Sequence, residues 1–305
     1  MAAGQGGFLA VGAYQSEPCA GGNAGDGGLP VCEIHPVAWV SSDGLTWRSS
    51  AGTKLPLTGD LGTYAEFSAA WAVGDGWDAA VESSVGPEPH GNDVLHSTDG
   101  VHWTRLVAPP LPDGADAAAD VESHGGADLR DGGRLLWQVS WPEGSPQTNL
   151  LRSPDGADWE ALGVLPGGTA SVVGAVGPYY FKDSWLLAGE SEHDEGPRAA
   201  VWTSGDLRAW SRGLLPDPPG SSWSTITAVA DWGVGYIAVG TWAGAARTSA
   251  TWLSPNGSDW GLVPAADGRF PRNGPVYLAN GPQGLAGVGF DRDTGEDAQV
   301  WPVLP

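Results

Sequence analysis

Five short segments of this chain share one pattern: serine, any residue, aspartate or asparagine, glycine, two residues, tryptophan. They are SSDGLTW (41–47), STDGVHW (97–103), SPDGADW (153–159), SPNGSDW (254–260) and the looser TSGDLRAW (203–210). Their tryptophans, Trp47, Trp103, Trp159, Trp210 and Trp260, lie 56, 56, 51 and 50 residues apart. A period of this size means that the chain is an array of similar units, each burying its apolar face only against its neighbours. Apolar runs ending in small residues precede the signature, as in GFLAVG (7–12), SWLLAG (184–189), GYIAVG (235–240) and GLAGVG (284–289). The spacing leaves room for four short strands with their turns, which is one propeller blade. In the fifth unit the strands read as 225–231, 235–240, 249–254 and 259–264, and helical periodicity is absent throughout.

Weaker runs at 78–83 and 134–139 bring the count to six. The expectation is therefore an all-β, six-bladed β-propeller of four-stranded blades in one domain. Its blades fall near 1–50, 64–108, 117–165, 170–215, 223–265 and 274–305. The first blade would lack most of its innermost strand and the last its outermost, and a leader removed before Met1 would account for the ragged start.

The repeated signature has a physical role. Asp or Asn accepts hydrogen bonds from turn amides, Gly takes the positive-φ position, and Trp is expected to bury between blades. These five segments resemble the Asp-box, or bacterial neuraminidase repeat, of sialidase-like propellers. The resemblance implies that the box is structural and lies on the face opposite the active site. Sialidase chemistry itself is not expected: the three-arginine cluster and the F/Y-R-I-P segment of that family are not visible, Arg269 and Arg272 being the only basic residues near the last innermost strand.

Of 17 tryptophans, five belong to the boxes and four more, Trp39, Trp202, Trp252 and Trp301, recur at one third-strand position, where periodic burial predicts packing. Trp77 and Trp185 match Phe8 and Tyr236 on second strands, while Trp71, Trp137 and Trp232 fall within strands. Trp141, Trp223 and Trp242 remain as loop residues.

A net charge of −22, with only Lys54 and Lys182 as lysines, repels phosphate backbones and anionic membranes, so nucleic-acid partners and membrane insertion are not expected. Cys19 and Cys32 flank a Gly-rich insertion, and a disulfide between them implies an oxidising compartment, hence a secreted or surface-anchored protein. A monomer is the expected state.

Loops between second and third strands vary in length and gather acids and histidines, as binding loops on a rigid scaffold do. Aligned starts of the innermost strands bring Glu66, Asp120 and Glu122 to one channel mouth, with Tyr64 and Tyr277 nearby. Three readings follow. In the first, Tyr64, Trp141, Trp223 and Trp242 stack on carbohydrate while Glu190, His193 and Arg272 bond its polar groups. In the second, Glu66, Asp120 or Glu122 supplies the acid and base of a glycoside hydrolase or lyase, neighbouring carboxylates raising one pKa. In the third, an aromatic and acidic pocket stabilises a cation in a cyclase-like small-molecule enzyme. Asp291, Asp293 and Asp297 around Gly295 form a fragment of a calcium loop without its terminal Glu, and no other cofactor is implied.

Overall fold

A computed structural model describes residues 2–4, 7–15, 34–51, 55–57, 64–74, 76–85, 88–107, 109–110, 121–129, 131–141, 146–167, 174–176, 184–194, 196–231, 233–244, 247–264, 277–281, 284–290 and 298–303. Asp120, Arg272, Cys19, Cys32, Asp291, Asp293 and Asp297 lie outside them. The described residues form strands and turns with no helix.

The strands are β1 (Ala2–Gly4), β2 (Gly7–Gln15), β3 (Ile34–Ser41), β4 (Arg48–Ser49), β5 (Tyr64–Val73), β6 (Gly76–Val85), β7 (Glu88–Ser97) and β8 (Thr104–Arg105). They continue as β9 (Val121–Asp128), β10 (Arg134–Ser140), β11 (Gln147–Ser153), β12 (Glu160–Val164), β13 (Gly174–Val176), β14 (Trp185–Ser191), β15 (Arg198–Ser204) and β16 (Ser211–Leu214). The last are β17 (Trp223–Asp231), β18 (Tyr236–Ala243), β19 (Arg247–Ser254), β20 (Gly261–Leu262), β21 (Tyr277–Gly281), β22 (Gly284–Phe290) and β23 (Ala298–Val303).

Hydrogen bonding gathers them into five sheets of a β-propeller. The first has eight strands, the next three have four each, β9–β12, β13–β16 and β17–β20, and the last has β21–β23. Neighbours within a sheet run antiparallel, save for one parallel pairing, Ile34 with Tyr64, which joins the β1–β4 meander to β5–β8. The sheet count therefore differs from six separate four-stranded blades. One backbone pairing is enough to merge two meanders that run side by side. The innermost strands touch in the cyclic order β1, β5, β9, β13, β17, β21 and back to β1, which closes the ring.

The core is a set of apolar seams between successive meanders. Leu9, Val40, Trp77 and Leu95 fill the seam inside the first sheet. Trp71, Val94, Leu136 and Leu151 fill the next, and Leu135, Trp137, Trp185 and Trp202 the one after. Strand alternation explains the pattern: odd and even residues of one strand serve the seams on opposite sides of its sheet. Trp202 and Trp252 are each 0% exposed. Their indole N–H groups donate to the carbonyls of Pro166 (3.0 Å) and Pro216 (2.9 Å), in the linkers that leave the preceding sheets.

All five signature segments form the same tight turn at the end of a third strand. In the first, Ser41 Oγ accepts from Gly44 N at 2.8 Å, and Asp43 Oδ1 accepts from Leu45 N (2.8 Å) and Thr46 N (2.7 Å). Asn256 does the same work in the fifth, receiving Ser258 N and Asp259 N at 2.8 Å each. Gly44, Gly100, Gly156 and Gly257 take φ between 71° and 81°. The looser copy places Leu207 there at φ 65°, a conformation that costs a branched residue about 1–2 kcal/mol. Burial of that side chain against Leu135, Trp185 and Trp202 offsets the strain.

One expectation for the box tryptophans is corrected. Trp103 is buried, but Trp47, Trp159, Trp210 and Trp260 are half-buried. Trp47, Trp210 and Trp260 donate their ring N–H to the carbonyl three residues back, and Trp159 donates to the Val107 carbonyl (3.1 Å), just past β8. A tryptophan just after a surface turn covers the rim of a seam, whereas the third-strand tryptophan fills it.

Trp202→Ala and Trp252→Ala should each cost about 3–5 kcal/mol in denaturant unfolding. Trp159→Ala should cost under about 2 kcal/mol, because its ring is already partly solvated. Acid titration provides a second check. Amide hydrogen bonds from Thr46 and Leu45 lower Asp43 from 3.8 to about 2. Amide bonds likewise lower Asp155 and Asp206. A lowered folded pKa contributes stability that is complete above 3.8 and is lost as pH falls toward the folded value. Melting temperature should therefore drop between those limits, and replacing Asp43, Asp155 and Asp206 together by Asn should flatten that acid limb, as Asn256 keeps the turn without a titrating group.

Candidate functional site

Because every box turn ends a third strand, the second-to-third connections and the starts of the innermost strands lie at the other end of the sheets. Tyr64, Val121, Trp223 and Tyr277 are the first residues of β5, β9, β17 and β21 and so share that end. Glu122 follows Val121 and stands opposite Val139 in the register.

Glu66 lies two residues into β5 and its Cα partner on β6 is Glu82. Both are half-buried. Ala80 belongs to the seam toward β9–β12, so Glu82, two residues on, faces the same way, and its partner Glu66 with it. Across that seam Leu136 and Leu151 carry the apolar layer. Continuing along β10 and β11 on the same face come Gln138, Ser140, Asn149 and Gln147. Gln138 and Asn149 are only 3% and 8% exposed. Asn149 Nδ2 donates to Ser140 Oγ (2.9 Å) and to the Gln147 carbonyl (3.2 Å), while Gln147 Nε2 donates to Asn149 Oδ1 (2.9 Å). The half-buried Trp141 follows Ser140 at the end of β10. The seam that is apolar at mid-height thus becomes polar at this end, with two carboxylates on one wall and a braced amide and hydroxyl layer on the other.

Directly opposed residues of an antiparallel pair hold their Cβ atoms about 4.5–5.5 Å apart, and like charges there destabilise the sheet. Carboxylates offer acceptors, amides offer both donors and acceptors, and the indole offers an apolar face. That combination suits a ligand rich in hydroxyl groups. No motif in the sequence singles out Glu82. Strand register makes it the partner of Glu66.

The remaining candidates gather elsewhere. Trp223 and Trp242 are strand residues rather than loop residues: Trp223 opposes Ala243 and Trp242 opposes Ser224. Trp242 packs against the cluster of Leu186, Ile226 and Trp252, because a second strand of eight residues extends past the expected loop start. Glu190 is half-buried on β14 opposite Ala199, and His193 is exposed. Trp242 and Glu190 border the seam between the β13–β16 and β17–β20 sheets, away from Glu66, while Trp223 alternates to the other face of β17. Among the described residues no group of three His, Cys, Asp or Glu side chains is placed to hold a metal ion.

A buried ionic cluster sits at the box-turn end. Asp78, 0% exposed, receives Arg134 Nε at 2.6 Å on one oxygen and pairs with His96 Nδ1 at 2.8 Å on the other. Arg134 belongs to β10 and Asp78 to β6, so the cluster joins two sheets.

No family model matches the chain, and no curated protein matches it. Among solved structures it is similar to a glycosyl hydrolase from Bacteroides ovatus, at 13% identity over 76% of this chain and 81% of that one, with a TM-score of 0.46. It is also similar to a GH32 β-fructofuranosidase from Bombyx mori, at 14% identity over 72% and 53% of the two chains, with a TM-score of 0.49. A third is a sucrose-6-phosphate hydrolase from Lactobacillus gasseri, at 14% identity over 71% and 51%, with a TM-score of 0.46. At these scores the chemistry of the site rests on this chain's own residues.

Asp78→Ala should destabilise the fold by about 3–5 kcal/mol in denaturant unfolding, because it leaves the Arg134 guanidinium at a buried seam without its carboxylate. A loss below about 1 kcal/mol would show that water solvates Arg134 in place of Asp78.

Proposed function

We propose that this protein is a carbohydrate-binding propeller of six repeats, and that its ligand sits where the seam between β5–β8 and β9–β12 turns polar. The observation that carries the reading is the opposed pair Glu66 and Glu82 facing the side of β10 and β11 that bears Gln138, Ser140, Asn149 and Gln147, with Trp141 beside it. Sugar hydroxyls donate to the carboxylates and exchange bonds with the amides, and a sugar face stacks on the indole. Six repeats are supported by the closed ring of innermost strands and by the single pairing that merges β1–β4 with β5–β8. The box turns resemble Asp-boxes in their Ser, Asp and Gly geometry, which supports a structural role for that end of the molecule.

The same pair favours a second reading, glycoside hydrolysis. Two carboxyl groups about 5–5.5 Å apart can serve as acid and nucleophile on one glycosidic bond. Glycan-array screening followed by calorimetry, on the parent and on Glu66→Gln and Glu82→Gln, separates the two. A binding module should lose affinity about tenfold or more in either variant and show no turnover in the parent. A hydrolase should turn over aryl glycosides or oligosaccharides, and one of the variants should abolish turnover while holding affinity within about tenfold. Unchanged affinity and unchanged turnover in the double variant would remove the site from this seam.

A further inference from the structure

At the opposite end, between the first and second box turns, lies a cleft of ≈ 360 Å³. Val40 and Trp77 line its apolar part, and Ser41, Ser42, Thr46, Arg48, Thr98 and Asp99 line the rest. Its volume falls within the range of small-molecule sites, about 300–1,000 Å³. Two observations bear on it, the first shared with Trp71 and Trp103, whose indole Nε1 atoms are also buried without a partner among the described residues. Trp77 is 1% exposed, and its indole Nε1 is buried with no hydrogen-bond partner among the described residues. Arg48, at the first position of β4, has no ion pair or hydrogen bond of its side chain among those residues either.

Comparison of the repeats shows what such a position does when it is satisfied. Arg48 follows the first box tryptophan as Glu160 follows the third, and Glu160 pairs with Arg208 of the next box turn. The residue equivalent to Arg208 in the second box is Val101, so Arg48 has no counterpart to meet. The acid in the lining, Asp99, is already engaged by the amides of Val101 and His102 and by His102 Nδ1 at 2.7 Å.

We propose that this cleft binds a small polyhydroxylated monocarboxylate, of the hexuronate class. Its carboxylate takes the place at Arg48 that a protein side chain takes in the third and fourth repeats. Its hydroxyls meet Ser42, Thr46 and Thr98. A monoanion is favoured over a phosphate dianion because the chain carries a net charge of −22, and each added ligand charge meets that repulsion.

Isothermal titration of sodium galacturonate tests this, with galactose as the neutral control and glucose 6-phosphate as the dianion. Galacturonate should bind saturably, more tightly than either control. Arg48→Gln, a change at an exposed position, should weaken it about tenfold or more by removing a charge-assisted pair. The Glu66→Gln, Glu82→Gln double variant should retain it, which separates this site from the seam at the other end. No binding of galacturonate, equal binding of galactose, tighter binding of glucose 6-phosphate, full affinity in Arg48→Gln, or loss in the double glutamate variant would each overturn the proposal.

Discussion

The indoles of Trp202 and Trp252 do two jobs that the rest of the ring depends on. Each ring fills a seam completely, and each N–H reaches a linker carbonyl 36 residues earlier in the chain, at Pro166 or Pro216. The linker is the segment that carries the chain from the outermost strand of one sheet to the innermost strand of the next. Pinning its carbonyl to the following sheet sets how far apart the two sheets stand. A smaller residue would leave a cavity and a free linker carbonyl together, and the spacing error would pass around a closed ring. The bond satisfies a buried donor that would otherwise cost about 1–3 kcal/mol, so packing and hydrogen bonding favour the same rotamer.

Acidity is distributed in a way that lets this scaffold tolerate its charge. In the box turns the aspartates are solvated and held by main-chain amides, so ionisation is favoured locally and no countercharge is needed. Asp78 is the opposite case, with no exposure and with Arg134 and His96 on its two oxygens. Glu66 and Glu82 form an opposed pair on β5 and β6. They face one another across two strands, at a height where the seam has ceased to be apolar.

The repeat architecture was legible because its determinants are local. A Ser, an Asp or Asn and a Gly within four residues specify a turn by their own hydrogen bonds, and a tryptophan recurring every 50 or so residues marks a layer. Burial of the individual tryptophans was less legible. The box and third-strand positions recur equally well, and only the three-dimensional offset between turn and strand decides that Trp47 covers a rim while Trp252 fills a core. The reading of Trp223 and Trp242 as loop residues failed for a related reason: β17 and β18 run on to Trp223 and Ala243, beyond the point where alternation gives out in the sequence. Glu66 was identified by alignment of strand starts. Glu82 required register, which shifts by one at the bulge between Phe67 and Ala69. A single inserted residue, Ser68, decides which acid meets which, and nothing in composition or spacing reports it.

That bulge also bears on where chemistry can reside in a repeating scaffold. Positions that recur are occupied by packing, since every seam needs the same apolar layer and every turn the same cap. Room for ligand contacts is therefore left where one repeat departs from its neighbours. At one end the departure is the replacement of apolar alternation by Gln138, Ser140, Asn149 and Gln147 on strands that face Glu66 and Glu82. At the other it is Arg48, standing where a later repeat holds a paired Glu160. Both departures lie on strands or at their first residues rather than in long loops, so their geometry is held by the sheets that flank them. A ligand at either place meets groups already ordered by folding, and the entropy of arranging them is not charged against binding.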